Sequence, residues 1–192
     1  VIIPNGIDVP KTVSVQPINR EKIILSAGYL FELKGVQHGI RALGELQRRG
    51  ETDWKMVICG KGPYEASLKR LVKSENLEQS VEWKGFVPRD ELIEILGRSR
   101  VALLVSKSEN FGIFAAESLS FGVPTIVTDT TALREFGWVN WCFTISEPVD
   151  HVELAEYILK ASEEETSDII GSRNLVSWGD VCKRLDAEIR NI

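Results

Sequence analysis

The sequence predicts an α/β fold, a Rossmann-like doubly wound parallel sheet of about six strands flanked by helices. Apolar segments of strand length alternate with longer segments of helical period, the pattern that parallel strands joined by crossover helices leave in a chain. The first helical segment sets Val36, Ile40, Leu43 and Leu46 at steps of four, three and three, one apolar face to lie on a sheet. At 192 residues and 43% apolar, the chain is large enough for one domain with a real core.

The lead-in to Arg20 is polar, and Pro4, Asn5, Gly6 and Pro10 punctuate its short apolar strand. It reads as a linker over residues 1–20, and, with neither an initiator Met nor a leader pattern, the chain is expected to be a piece of a longer protein with another domain ahead of Val1. Strands are expected at Lys22–Ala27, Trp54–Cys59, Val81–Lys84, Val101–Val105, Thr125–Thr128 and Cys142–Ile145. Helices are expected at Val36–Arg49, Tyr64–Ser74, Arg89–Leu96 and Gly112–Ser120, with a short one near Leu133. Beyond the last strand Val152–Ala161 and Trp178–Ile189 read as helices, the latter opened by Ser177 with Asp180 three residues on, close to a capping box. The binding domain is thus expected over residues 21–176 and a C-terminal helix over 177–192.

Composition excludes several classes of function. A net charge of −5, from 23 basic and 28 acidic residues without dense basic clusters, argues against a nucleic-acid partner. No apolar run reaches the ~18 residues of a membrane span. Cys59, Cys142 and Cys182 are odd in number and widely spaced, which fits reduced thiols in a cytosolic protein better than a disulfide framework or a zinc site. There is no Walker sequence, no D-x-D metal pair and no G-x-S-x-G elbow, so no metal is expected. His38 and His151 read as isolated helix-surface residues, and Trp83, Trp138, Trp141 and Trp178 as core packing.

With strand order 3-2-1-4-5-6, right-handed crossovers place strands 1 and 4 side by side with connections leaving in opposite directions, and a ligand crevice opens between them. The loops lining it are Gly28–Gly35 and Ser106–Gly112. Beyond the second, the first amides of a helix suit an anion or sugar oxygens, and Gly112 allows close approach to the backbone. Glu109 and Glu117 can each accept hydrogen bonds from a ligand hydroxyl; the alternative is that Glu109 complements the helix N-terminus and Glu117 is solvated. Against that, Glu117 lies among Phe114, Ala115, Ala116 and Leu119, where an idle carboxylate is costly to bury. Lys34, directly ahead of a helix, can share a diphosphate with that helix N-terminus, or be plain solvated surface. Gly60-Lys61-Gly62-Pro63 lacks the third glycine of a dinucleotide fingerprint, Glu65 standing there, and reads as a tight turn. Gly85-Phe86-Val87-Pro88 reads as a turn whose backbone can meet a base.

Together these residues resemble the C-terminal, donor-binding domain of GT-B glycosyltransferases, in particular the retaining family 4 (group 1) sugar transferases. The resemblance runs from Val1-Ile2-Ile3-Pro4-Asn5-Gly6-Ile7-Asp8 through Leu33-Lys34-Gly35 and Gly60-Lys61-Gly62-Pro63 to Ser106–Gly112 and Glu117–Pro124. Its most specific element is E-x7-E, Glu109 with Glu117, followed by Gly-x-Pro. It implies that Glu117 binds the ribose hydroxyls, that Glu109 binds hydroxyls of the transferred sugar with the amides of Phe111 and Gly112, and that Lys34 holds the diphosphate, with Ile113 among the donor-binding residues. Lys61, Phe86, Val87 and Tyr29 complete the implied donor site.

The implied activity is transfer of a hexose, with retention and without a metal or cofactor, from a nucleotide diphosphate sugar such as UDP- or GDP-hexose to a glycan, glycolipid or polysaccharide acceptor. The acceptor would be held largely by an N-terminal domain toward which the C-terminal helix returns. The location implied is cytoplasmic, peripheral at the inner face of the cell membrane in the intact protein. Tyr29 departs from the family pattern, which places Arg there, and removes one cation from the diphosphate. Two alternatives stay open: a nucleotide-sugar-binding module with lapsed catalysis, and a GT-B nucleotide-sugar epimerase.

Overall fold

In a computed structural model of the protein, which describes residues 20–137, 139, 141–164 and 178–190, six strands form one sheet. They are β1 (Glu21–Ala27), β2 (Lys55–Cys59), β3 (Val81–Gly85), β4 (Ser99–Leu104), β5 (Thr125–Thr128) and β6 (Cys142–Ile145). The order is β3-β2-β1-β4-β5-β6 and every pairing is parallel, as the alternation of the sequence predicts. The helices are α1 (Val36–Arg48), α2 (Glu65–Ser74), α3 (Arg89–Arg98), α4 (Ile113–Ser120), α5 (His151–Ser162) and α6 (Trp178–Arg190). Residues 1–19 of the expected linker, Ser177 as a cap, residues 165–176 and Trp138 lie outside the described residues.

Successive residues of the central strands point to opposite faces, and helices cover both. Ile24, Met56, Ile58, Val101 and Leu103 meet the apolar face of α1 on one side, where Ile40, Leu43 and Leu46 are fully buried. On the other side Ile23, Leu25, Val57 and Ala102 meet Ile95 and Leu96 of α3. Leu104 and Val127 pack with Ala115, Ala116 and Leu119 of α4. Trp141 is buried in that last cluster and its indole N–H donates to the Leu119 carbonyl at 3.2 Å; Trp83 is partly buried beneath the Lys69 ammonium.

Two expectations need correction. β4 starts at Ser99 because α3 runs on to Arg98 and passes into the strand without a turn; the Ser99 hydroxyl donates to the Ile95 carbonyl at 2.7 Å, so polar Ser99 and Arg100 disguise the strand start. The short helix expected near Leu133 is present, as a 3-10 segment over Thr131–Phe136. His38 and His151 are not isolated: α1 packs on α5, and His38 Nδ1 lies 3.2 Å from His151 Nε2. A contact of that length needs one ring nitrogen to donate and the other to accept.

Arg20, ahead of β1, is buried, and its guanidinium donates to the carbonyls of Gly122 (2.7 Å) and Phe121 (3.2 Å) at the C-terminal end of α4. A cation there complements the negative end of the helix dipole. Burial, and secondarily Arg100, pulls its pKa down to about 10, so it remains charged at neutral pH. None of the described helices is long and apolar enough to cross a membrane.

Candidate functional site

β1 and β4 are neighbours whose chains continue toward opposite ends of the sheet, β1 to β2 and β4 to β5, so the loops at their carboxyl ends part. Two adjoining cavities open there. One, of about 310 Å³, is lined among others by Tyr29, Lys34, Glu109, Phe111, Gly112 and Ile113. The other, of about 450 Å³, is lined by Cys59, Lys61, Phe86, Val87 and Leu92, and Ala27, Gly28 and Tyr29 belong to both.

Local chemistry places each wall. Lys34 ends a 3-10 turn, Glu32–Lys34, that closes on Gly35 in a left-handed conformation (φ 73°), and a Cβ at Gly35 would collide with the Val105 carbonyl. The Leu33 carbonyl accepts from the Lys107 amide (2.8 Å) and the Ser106 hydroxyl (3.0 Å), which ties the loop after β1 to the loop after β4. Across that tie Lys34 Nζ meets Glu109 Oε1 at 2.6 Å, with side chains 26% and 13% exposed. The pair joins the two loops that switch-point reasoning selects.

Glu109 is held a second time, its amide donating to Thr131 Oγ1 at 3.0 Å. Thr131 has φ 47°, a left-handed conformation that costs a β-branched residue on the order of 1–3 kcal/mol. Gly112 (φ 84°) is the N-cap of α4, where a Cβ would press on Leu133 and Phe136. Neither α1 nor α4, both opening onto the first cavity, has a side-chain cap, and neither do α2 and α3; among α1–α5 only α5 is capped, by Asp150 accepting from the Val152 and Glu153 amides. The first amides of α1 and α4 therefore face the cavity without a side-chain acceptor.

The second cavity is built by backbone contact. The Gly28 amide donates to the Cys59 carbonyl (2.9 Å), Leu30 to Lys61 (3.0 Å) and Gly60 to Gly85 (2.6 Å), which fastens the loops after β1, β2 and β3 together. Side chains at Gly60 or Gly62 would strike the Gly28 or Leu30 backbone, which is the physical reason for the glycines of Gly60-Lys61-Gly62-Pro63. Phe86 at its rim is 80% exposed, and Tyr29, 56% exposed between the two cavities, stands 4.5 Å from Phe31, ring centre to ring centre. Burial pushes the Cys59 thiol up to about 11, so this wall offers no thiolate at neutral pH.

Glu117 lines neither cavity. It lies further along α4, 12% exposed, and Arg89 Nη1 at the start of α3 donates to its Oε1. The carboxylate is therefore not idle, and its partner escaped sequence reasoning. Arg89 directly follows Phe86-Val87-Pro88, the one signal that could have drawn attention to it. Thr131 escaped for the same reason, meeting Glu109 only through space. Among the described residues no group of three or more His, Cys, Asp or Glu side chains gathers as a metal site would require.

Fold and site define a Rossmann-like α/β domain with a charged crevice at its switch point. Residues 10–174 match the family described as "Glycosyl transferases group 1", and the chain belongs to that family. Among its relatives are the N-acetyl-alpha-D-glucosaminyl L-malate synthase of Bacillus anthracis, 31% identical over 80% of this chain and 39% of that protein, and a GDP-mannose-dependent alpha-(1-6)-phosphatidylinositol dimannoside mannosyltransferase of Mycobacterium tuberculosis, 35% identical over 59% and 29%. The fold is shared with the pneumococcal O-GlcNAc transferase GtfA in complex with UDP and GlcNAc (TM-score 0.77, 18% identity, 100% of this chain and 39% of that one). It is likewise shared with HepE of Anabaena in complex with UDP and glucose (TM-score 0.77, 18% identity, 92% and 50%). The chain thus spans half or less of these proteins.

Proposed function

We propose that the chain is the donor-binding domain of a retaining hexosyltransferase that uses a nucleotide diphosphate sugar such as UDP- or GDP-hexose and delivers the sugar to a glycan, glycolipid or polysaccharide acceptor. The observation that carries this reading is the Lys34–Glu109 pair set across the β1–β4 crevice beside the uncapped start of α4. A cation for a diphosphate and a carboxylate for sugar hydroxyls stand side by side there, as a nucleotide sugar presents its groups. Retention, and action without a metal or cofactor, follow from the family resemblance.

In this reading the base lies against Phe86 and Val87, the diphosphate spans Tyr29, Lys61 and Lys34, and the hexose lies over Glu109 with the amides of Phe111, Gly112 and Ile113. Lys34 then stabilises the negative charge that grows on the leaving diphosphate as the sugar acquires oxocarbenium character. Glu117 accepts from the ribose hydroxyls. The acceptor is held by an N-terminal domain beyond this chain, and the intact protein works in the cytoplasm, peripheral to the inner face of the membrane.

Calorimetric titration of the chain with UDP, GDP, ADP, a UDP-hexose and a GDP-hexose, repeated with Glu117→Ala, tests the reading. Binding of one nucleotide series that is lost in the variant supports it and names the base; no binding of any at millimolar concentration overturns it. A second reading, a binding module with lapsed catalysis, is favoured by Tyr29 alone, which offers no positive charge where the family pattern has Arg. Tyr29→Arg in the full-length protein separates the two: an enzyme active with Tyr29 refutes the lapsed module, and zero activity in both forms supports it.

A further inference from the structure

The geometry points to Arg89 as the positioning residue for Glu117, fixing the carboxylate that reads the ribose and coupling it to the wall of the second cavity. The inference rests on the reading of Glu117 as the ribose acceptor.

Three observations carry it. Glu117 is the sole charged residue of α4, its side chain is largely buried, and the Arg89 guanidinium is its hydrogen-bond partner, reaching across 28 residues of sequence. A flexible carboxylate in such a place, without a counter-charge, is both costly and free to change rotamer. Secondly, Arg89 is the first residue of α3, where a cation opposes the helix dipole by about 0.3–1 kcal/mol, so the placement does not serve α3 itself. Thirdly, Arg89 follows Val87 by two residues, and Pro88 between them, at φ −60° and ψ 157°, fixes the direction in which the chain enters α3. The loop that carries Phe86 and Val87 into the second cavity therefore also sets the position of the guanidinium. Arg89 Nη1 donates to Oε1, so in the proposed reading Oε2 is the oxygen that accepts from the ribose hydroxyls.

The test is a set of affinities for UDP, 2′,3′-dideoxy-UDP and pyrophosphate, with the GDP pair in parallel, measured for the unaltered chain, Arg89→Ala, Arg89→Lys and Glu117→Gln. The unaltered chain is expected to prefer the ribonucleotide by about tenfold or more, since hydrogen bonds to a charged acceptor are among the strong ones. Arg89→Ala should bring that preference to within about twofold of unity while pyrophosphate affinity is unchanged, and Arg89→Lys should restore most of it. Should Arg89→Ala keep the preference while Glu117→Gln loses it, the Arg89 inference falls alone. An Arg89→Ala chain that weakens all three ligands alike also overturns it, since the effect is then merely structural. If Glu117→Gln keeps the preference, or the unaltered chain shows none, the ribose reading of Glu117 falls and takes this inference with it.

Discussion

If Lys34 holds a diphosphate as proposed, the Lys34–Glu109 pair has a direct cost for the ligand, because the ammonium is already engaged at 2.6 Å. Glu109→Gln should release it and remove a nearby negative charge, so UDP or GDP without a sugar should bind about threefold to tenfold more tightly, while the gain from adding the hexose disappears. Lys34→Ala should weaken both by about tenfold or more, and titration calorimetry reads either effect. The histidine pair gives a pH prediction. Burial, then His151, Arg41 and Lys107, holds His38 down at about 4 against an ordinary value of 6.5, and burial likewise lowers His151. The fold keeps the rings neutral and the unfolded chain does not, so this contribution to stability is complete above about pH 6.5 and is lost as the pH falls toward 4. Thermal midpoints recorded from about pH 7.5 to 5 should fall, and His38→Gln should flatten the fall; an unchanged slope would sink the idea. Lys34, Glu109 and Gly112 were legible in sequence because each follows a strand at the predicted switch point. Arg89, Thr131 and the histidine pair were not, because their partners lie 28, 22 and 113 residues away and meet only once the helices pack.

At the scale of elements, the loops after β1, β2 and β3 behave as one piece, since the Gly28 amide donates to the Cys59 carbonyl and the Gly60 amide to the Gly85 carbonyl. Gly60 has φ 145° and a Cβ there would strike the Gly28 carbonyl, whereas Gly50, with φ 88°, has open space around it. Gly60→Ala should therefore cost at least about 2 kcal/mol, a fall of about 4–8 °C in Tm, and lower nucleotide affinity with it. Gly50→Ala should cost about 1 kcal/mol and leave affinity alone. Equal losses in the two variants would show that conformational freedom, not the loop contact, governs Gly60. The strand order was legible because six apolar segments alternating with helices leave few topologies once crossovers are right-handed. The junction of α3 and β4 was not, because Gly97 suggests a helix end that the structure carries on to Arg98, and Ser99 bonds back into the helix it follows. Gly60-Lys61-Gly62-Pro63 showed as a turn, but the backbone that presses on it, at Gly28 and Leu30, belongs to the loop after β1.

For the whole molecule, the carboxyl edge of the sheet exposes Tyr29, Phe31, Leu33, Phe86 and Ile113, and the chain covers 39% of its Bacillus anthracis relative. A cleft with one wall holds a ligand but does not exclude water from a sugar in transfer. The chain alone is therefore expected to bind the nucleotide and to transfer no hexose to any acceptor, and radiolabelled donor assays of the chain and of the full-length protein would show it; transfer by the chain alone contradicts the proposal. Arg20 adds a mechanical consequence. Its backbone runs straight into β1, while its guanidinium is tied to Phe121 and Gly122 at the far end of the helix that carries Glu117. A force applied at Arg20 therefore loads that helix and the central strand together, so in the proposed reading the start of β1 and the helix that carries the ribose acceptor form a single lever.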